Sequence, residues 1–255
     1  AEGHAVTFAG GLAAGGLVPV FSVYSTFLQR SYDQIIHDAA MQNLHIVLAV
    51  DRAGIVGEDG ETHQGVFDVS FLNSIPNTTI FCPTYFDELR DNLNTAINKC
   101  NSVVAVRFPR GGEDYKPNDF KPSLQAFDVY GNKDAKKLII TYGRLFSQAC
   151  LAKEKLAERG IDVCILKLNQ IKPIPPMAIE IAEKFENIFF FEEGMQNGGI
   201  GEKMSVELSK RKYNGQFVLN AIDDRFIPHA PVDVTLKRLG LDCSGIVNMI
   251  VRNDF

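Results

Sequence analysis

Short runs that are apolar at nearly every position recur along the chain, and longer stretches with helical spacing lie between them. A run that is apolar on both faces is what a strand of a covered parallel sheet requires. Such runs predict strands over 17–23 (ending at Tyr24), 45–50, 79–82, 103–108, 138–143, 162–168, 187–193 and 216–220. Helical spacing predicts helices between them. The first covers 30–43, with Tyr32, Ile35, Ile36, Ala39 and Ala40 on one face. Another runs from Thr84, as N-cap, to Lys99, with Glu88 in its first turn. Further helices cover 147–159 (stopped by Gly160), 176–185 and 201–212, with terminal pieces at 235–239 and 244–251. Residues 55–68 read as one long polar loop.

This alternation predicts an α/β protein with two domains, each a mainly parallel sheet flanked by helices. The polar, Pro- and Gly-rich stretch 111–122 marks the boundary. The first domain then covers 1–115, a linker 116–125 and the second domain 126–255. At the start, Glu2 and His4 precede a run of small residues in which Ala9, Gly10, Ala13 and Ala14 predict a helix pressed against another backbone. Glu2 opens that helix and is expected to point into a crowded interior, where a carboxylate needs a partner or a function.

Composition narrows the function classes. Of 255 residues, 45% are hydrophobic and 22% charged, enough for a real core. The net charge of -5 gives no support to nucleic-acid binding or to a polybasic membrane surface. The apolar run 44–50 is too short to span a bilayer. Five cysteines without a paired spacing fit a reducing cytoplasm.

Functional loops of parallel sheets lie at the carboxyl ends of the strands. Here those ends carry Tyr24, Phe27 and Arg30, then Asp51 and Arg52, then Arg107 and Arg110. Converging arginines suit a phosphorylated substrate, because their forked donors match phosphate oxygens; paired with nearby acids, they would be structural instead. The loop 56–65, with Asp59 and His63, is either a catalytic or closing loop or an ordinary acidic turn. No zinc or calcium spacing occurs, and His4, His37 and His45 lack clustered ligands. Gly198-Gly199-Ile200-Gly201 has the look of a phosphate cradle but lacks the Walker lysine and the dinucleotide fingerprint, so a tight strand-to-helix turn is expected. Glu192 and Glu193 end a strand with no visible partner.

Several motifs together resemble the 1-deoxy-D-xylulose-5-phosphate synthase family of transketolase-like, thiamine-diphosphate-dependent enzymes. They are Ala1-Glu2-Gly3-His4-Ala5-Val6-Thr7-Phe8, Tyr24-Ser25-Thr26-Phe27-Leu28-Gln29-Arg30, Asp51-Arg52-Ala53-Gly54-Ile55-Val56-Gly57, Thr62-His63-Gln64-Gly65 and Phe108-Pro109-Arg110-Gly111. The likeness is dense over 1–112 and continues more thinly through Ile171-Lys172-Pro173, Phe191-Glu192-Glu193-Gly194 and Phe226-Ile227-Pro228. Ile222-Asp223-Asp224 departs from the family's usual wording.

The resemblance implies a pyrimidine-binding domain followed by a transketolase C-terminal domain, the latter serving packing and oligomerisation. It implies that Glu2 hydrogen-bonds N1′ of the thiamine diphosphate aminopyrimidine and acts in catalysis, and that Phe27 stacks on that ring. Tyr24, Arg30, Arg52 and Arg110 would bind glyceraldehyde 3-phosphate. Asp59 and His63 would face pyruvate or the hydroxyls, with His63 a proton carrier. The family's Gly-Asp-Gly…Asn motif for Mg2+ and the diphosphate is not found in the sequence, and Gly57-Glu58-Asp59-Gly60 imitates it poorly. The chain therefore reads as a fragment, a processed product or one half of an enzyme. It would be inactive without an N-terminal diphosphate-binding portion and, when complete, a cytoplasmic homodimer making precursors of isoprenoids, thiamine and pyridoxal. A subunit of another transketolase-like enzyme, or a non-catalytic thiamine-binding or assembly module, is the competing expectation.

Overall fold

The computed structural model describes residues 1–253. The first helix, α1 (Glu2–Ala14), leads into β1 (Val20–Tyr24), a helical turn α2 (Ser25–Leu28) and a second turn α3 (Tyr32–Gln34) that widens into a π-helical segment at Ile35–Ala40. The helix expected over 30–43 is thus broken into a 3-10 turn at Gln29–Ser31, the α turn at Tyr32–Gln34 and the π-helical segment. The widened segment lies where α1 crosses: a Cβ on Gly10 would stand 2.7 Å from the carbonyl oxygen of Asp38, so only glycine admits this approach. The close backbone contact expected from the small residues of α1 is therefore present.

Next come β2 (Val47–Asp51), α4 (Asp68–Ser74), β3 (Thr78–Phe81), α5 (Phe86–Asn98) and β4 (Val103–Arg107). Helix α5 is capped at Tyr85 and not at Thr84. Glu88 closes the capping box, accepting hydrogen bonds from the backbone N–H groups of Thr84 at 2.9 Å and Tyr85 at 3.3 Å. The Thr84 hydroxyl instead donates to the carbonyl of Gly143 at 2.8 Å.

The rest of the chain forms β5 (Phe127–Tyr130), β6 (Lys137–Tyr142), α6 (Leu145–Ala157), β7 (Val163–Leu168), β8 (Gln170–Lys172), α7 (Pro176–Ala182), β9 (Asn187–Met195), α8 (Ile200–Lys210), β10 (Gln216–Ile222), α9 (Val232–Arg238) and α10 (Cys243–Arg252). Two five-stranded sheets result, in the orders β1-β2-β4-β3-β8 and β10-β9-β6-β7-β5. Each has four parallel strands and one short antiparallel edge strand, β8 or β5. β2, β4, β7 and β9 are buried almost throughout, as the uninterrupted apolar runs require.

The chain crosses back to the first sheet beyond that boundary. β7 belongs to the second sheet and β8, one residue later, closes the first. Asn169 makes that crossing: its amide donates to Asp128 at 2.7 Å and to the Gln125 carbonyl at 2.9 Å, and its oxygen accepts from Lys167 at 2.6 Å. One apolar core runs from Val6 and Leu48 through Ile80 and Ile171 to Leu138, Phe190 and Met204. Within 116–125, Phe120 packs on Tyr85 with ring centres 4.5 Å apart, so this stretch is pinned to the body.

Candidate active site

β1, β2 and β4 are neighbours and parallel, so the segments leaving their carboxyl ends meet at one edge of the first sheet. Tyr24 ends β1, and Phe27 and Arg30 follow in the turns beyond it. Arg52 follows β2 and Arg110 follows β4. Topology, and not proximity in sequence, brings them together.

They form one connected cluster. Arg30 reaches Glu2 at 3.3 Å and lies over the Phe27 ring at 5.0 Å. Phe27 stacks with Tyr24 at 5.7 Å and meets His63 edge-on at 5.4 Å. The Arg52 guanidinium covers the Tyr24 ring at 3.6 Å. One oxygen of Asp59 faces two arginines, Arg110 at 2.7 Å and Arg52 at 3.8 Å. The eight residues to which the resemblance gives roles all lie in this chain of contacts. Arg107 does not: it is buried and paired with Asp68 at 2.8 Å.

Glu2 differs from expectation. It sits at the rim of the cluster, with its side chain 20% exposed, and not in a crowded interior. The first turn of α1 is flanked by the solvent-facing Arg30, which is 61% exposed. A hydrogen bond from its own backbone, then the N-terminal ammonium 3.3 Å away and last the charge of Arg30, hold the Glu2 carboxyl below its ordinary range.

Arg52 adopts a positive φ of 56°, a left-handed backbone unusual for a side chain this large. Such strain collects at functional sites. Asp51 supports the turn, accepting from the Arg52 N–H at 2.6 Å and from its guanidinium at 3.1 Å. Arg52 Nε is buried without a hydrogen-bond partner, a donor ready for an anion.

The loop carrying Asp59 and His63 is closed at its base by a bridge between Gly54 and Gly65 and contains a short turn at Gly57–Asp59. The Thr26 hydroxyl donates to the Thr62 carbonyl at 2.9 Å and ties the loop to α2. Thr62 also contacts His63 Nδ1 at 2.9 Å.

Two groups escaped the sequence reading. Glu192 and Glu193 have partners after all. Glu192 is fully buried and accepts from the Tyr142 hydroxyl at 2.8 Å and from the N–H groups of Ile200 at 3.0 Å and Gly201 at 2.9 Å. The glycine-rich turn does present acceptor-seeking N–H groups at a helix N-terminus, and the group that fills it is the protein's own Glu192 carboxyl. Burial raises the Glu192 carboxyl to about 7. Glu193 pairs with Arg144. Their only signal was a pair of acids continuing an otherwise apolar strand.

Residues 1–112 match the model of the transketolase pyrimidine-binding domain, and residues 131–246 that of the transketolase C-terminal domain. The chain belongs to the transketolase family. It is 45% identical over 260 aligned residues to the 1-deoxy-D-xylulose-5-phosphate synthase of Clostridium botulinum strain Alaska E43, covering 99% of this chain. It is 42% identical to the enzyme of that name from Clostridium beijerinckii, again over 99% of this chain. In each case the match spans 41% of the relative's own length. Among solved structures, a split-gene transketolase described as an inactive β4 tetramer has a TM-score of 0.84 at 24% identity, covering 99% of this chain and 81% of that one. The transketolase of Campylobacter jejuni has a TM-score of 0.74 at 19% identity, covering 92% and 35%. These two establish likeness of fold.

A thiamine-type cofactor fits the residues present. A carboxylate stands at the edge of a half-buried aromatic pair, and the adjoining Arg52 has a buried Nε that makes no hydrogen bond and faces Asp59 only at 3.8 Å. Among the described residues, no group of three or more His, Cys, Asp or Glu side chains could hold a metal ion. Among them, too, no helix is long and apolar enough to cross a membrane.

Proposed function

We propose that this chain supplies the aminopyrimidine and substrate half of a 1-deoxy-D-xylulose-5-phosphate synthase, condensing pyruvate with glyceraldehyde 3-phosphate and releasing CO2. The observation that carries the reading is the single cluster joining Glu2, Phe27, Tyr24 and the arginines at one sheet edge, in a chain 45% identical to synthases of that name.

Thiamine diphosphate, when bound, supplies the electron sink that lets pyruvate lose CO2 and its acyl carbon act as a nucleophile. Glu2 would accept the hydrogen bond of the cofactor's protonated N1′, as a carboxylate does at neutral pH. Acid–base assistance of this kind is worth ~10²–10⁴-fold. Phe27 offers the ring a flat apolar face. Arg52 and Arg110 bind the acceptor's phosphate. Asp59 holds both guanidiniums toward one point, and a phosphate competes for the same donors. Tyr24 braces Arg52 from behind, Arg30 extends the cationic edge, and His63 carries a proton to or from a substrate hydroxyl.

Mg2+ and the diphosphate belong, in this reading, to a separate N-terminal portion of the enzyme, and the complete enzyme is a cytoplasmic homodimer. Five free thiols suit that compartment. Residues 1–115 supply the pyrimidine-binding unit apart from its edge strand β8, and 126–255 the C-terminal unit, joined by 116–125.

The test is reconstitution with the polypeptide that carries the diphosphate motif. Pyruvate-dependent CO2 release that requires glyceraldehyde 3-phosphate is expected, and Glu2→Ala should lower it about 100-fold or more. Activity with a phosphoketose donor and no CO2 would instead indicate another transketolase-like enzyme. Full activity in the Glu2→Ala protein would remove Glu2 from the mechanism.

A further inference from the structure

The loop that carries Asp59 and His63 leaves and re-enters the first sheet through Gly54 and Gly65, whose backbones pair at 2.6 and 2.8 Å. Its anchor comes from elsewhere. Arg144 starts α6 and Glu193 lies on β9, both in the second sheet's half of the chain. Glu193 accepts the N–H of Ile55, and Arg144 donates to the carbonyl of the same residue. The two side chains also bind each other, Arg144 Nε meeting Glu193 Oε2 at 2.9 Å. Both polar groups of one loop residue are therefore satisfied by one ion pair that arrives from 89 and 138 residues away.

The surroundings show that this is a built fit. Arg144 is 9% exposed and Glu193 5%. Gly54 has φ +84, and a Cβ there would lie 2.5 Å from the Glu193 carboxyl carbon, so backbone and carboxylate are in direct contact. The buried Arg107 adds a clamp at the other end, donating to the Gly65 carbonyl at 3.3 Å and to the Glu193 carbonyl at 3.0 Å. Farther out, a Cβ on Gly57 would stand 3.0 Å from the Ala230 carbonyl oxygen, so the loop's turn also rests on the second half of the chain.

We propose that Arg144 and Glu193 are positioning residues for the candidate site: together they fix the base of loop 54–65 and so set where Asp59 and His63 stand. The consequence for substrate binding rests on the function proposed above; the anchoring itself does not. A planar fork is needed, because one guanidinium must serve a carboxylate and a carbonyl at once. The second half of the chain is thereby part of the site's machinery, beyond packing.

The test begins with this chain itself. Arg144→Met with Glu193→Gln removes both charges, so no buried ion is left unpaired to unfold the protein. Amide hydrogen exchange is then compared between residues 54–65 and the strands Val103–Arg107 and Val163–Leu168. Exchange in the loop should rise about tenfold or more with both strands unchanged. Arg144→Lys should show the same loop-confined rise, since an ammonium keeps the charge but cannot replace the fork. Unchanged loop exchange would overturn the proposal. An equal rise in the strands would also overturn it, because it would mark a merely structural pair.

In the reconstituted enzyme, the double variant should raise the acceptor KM about fivefold or more while the pyruvate KM holds. Loosened exchange with an unchanged acceptor KM would refute the link to the site. Absence of synthase activity in the unaltered enzyme would refute the function, and the exchange result would still decide the anchor.

Discussion

Replacing Glu192 by glutamine tests whether burial or hydrogen bonding governs this carboxylate. Glu192 is wholly buried, and burial is the largest influence on it, raising its carboxyl from 4.5 to about 7 against the donors of Gly201, Tyr142 and Ile200. Between those values the native state holds a proton that the unfolded chain has released. Its stabilising contribution is complete below 4.5 and is lost as pH rises through 7. At about 1.4 kcal/mol per pH unit, the full loss is ~3 kcal/mol.

Glutamine carries no such titration. Its amide keeps one oxygen acceptor, so one of the two α8 N–H groups loses its partner, at a pH-independent cost of ~1–3 kcal/mol. Urea unfolding of both proteins at several pH values isolates the difference, because every other group titrates alike in the two. The variant should be the less stable near pH 5. Its stability relative to the parent should then climb by ~2.5 kcal/mol between about pH 5 and pH 8. A difference that stays flat over that range would mean that Glu192 ionises in the fold as easily as in the open chain. The burial argument would then be wrong.

Other perturbations read other parts of the structure. Glu88→Ala strips two caps from α5 and leaves the buried Lys167 ammonium unpaired, so a loss of ~3–5 kcal/mol is expected in urea unfolding. Adding Lys167→Met should recover most of that loss, whereas simple additivity of the two changes would show that the pair does not matter. Gly10→Ala should lower stability by ~1–3 kcal/mol despite alanine's better helix propensity, because the new methyl meets the Asp38 carbonyl. Gly11→Ala meets nothing within 4 Å and should gain ~0.5–1 kcal/mol; thermal melts that rank the two the other way would refute the crossing geometry. Arg110→Ala should weaken glyceraldehyde 3-phosphate binding ~10–100-fold without altering pyruvate binding, and an unchanged acceptor KM would remove the phosphate role.

The amino-acid sequence by itself determined the repeating units. Apolar runs with no polar face can exist only where both faces are covered, so residues such as Val103 to Val106 or Phe189 to Phe191 were legible as central parallel strands. Tyr24, Arg52 and Arg110 of the candidate site were legible too, because they end or closely follow those strands and strand ends are where loops must turn. Glu2, Asp59 and His63 were instead singled out through the motif resemblance. Local signals failed where the decisive contact is distant. β5 and β8 are too short and too mixed to announce themselves, and each forms because a neighbouring strand offers an unpaired edge. Nothing near Lys172 in sequence says that it pairs beside Ile80.

The acids were the harder case. Glu192 and Glu193 are adjacent on one strand, so their side chains leave on opposite sides of the sheet. One meets the N-terminus of α8 and the other an arginine and the base of a loop. Only tertiary structure decides such partnerships. Burial makes an unpaired charge costly, but it does not say which of many distant groups will answer it.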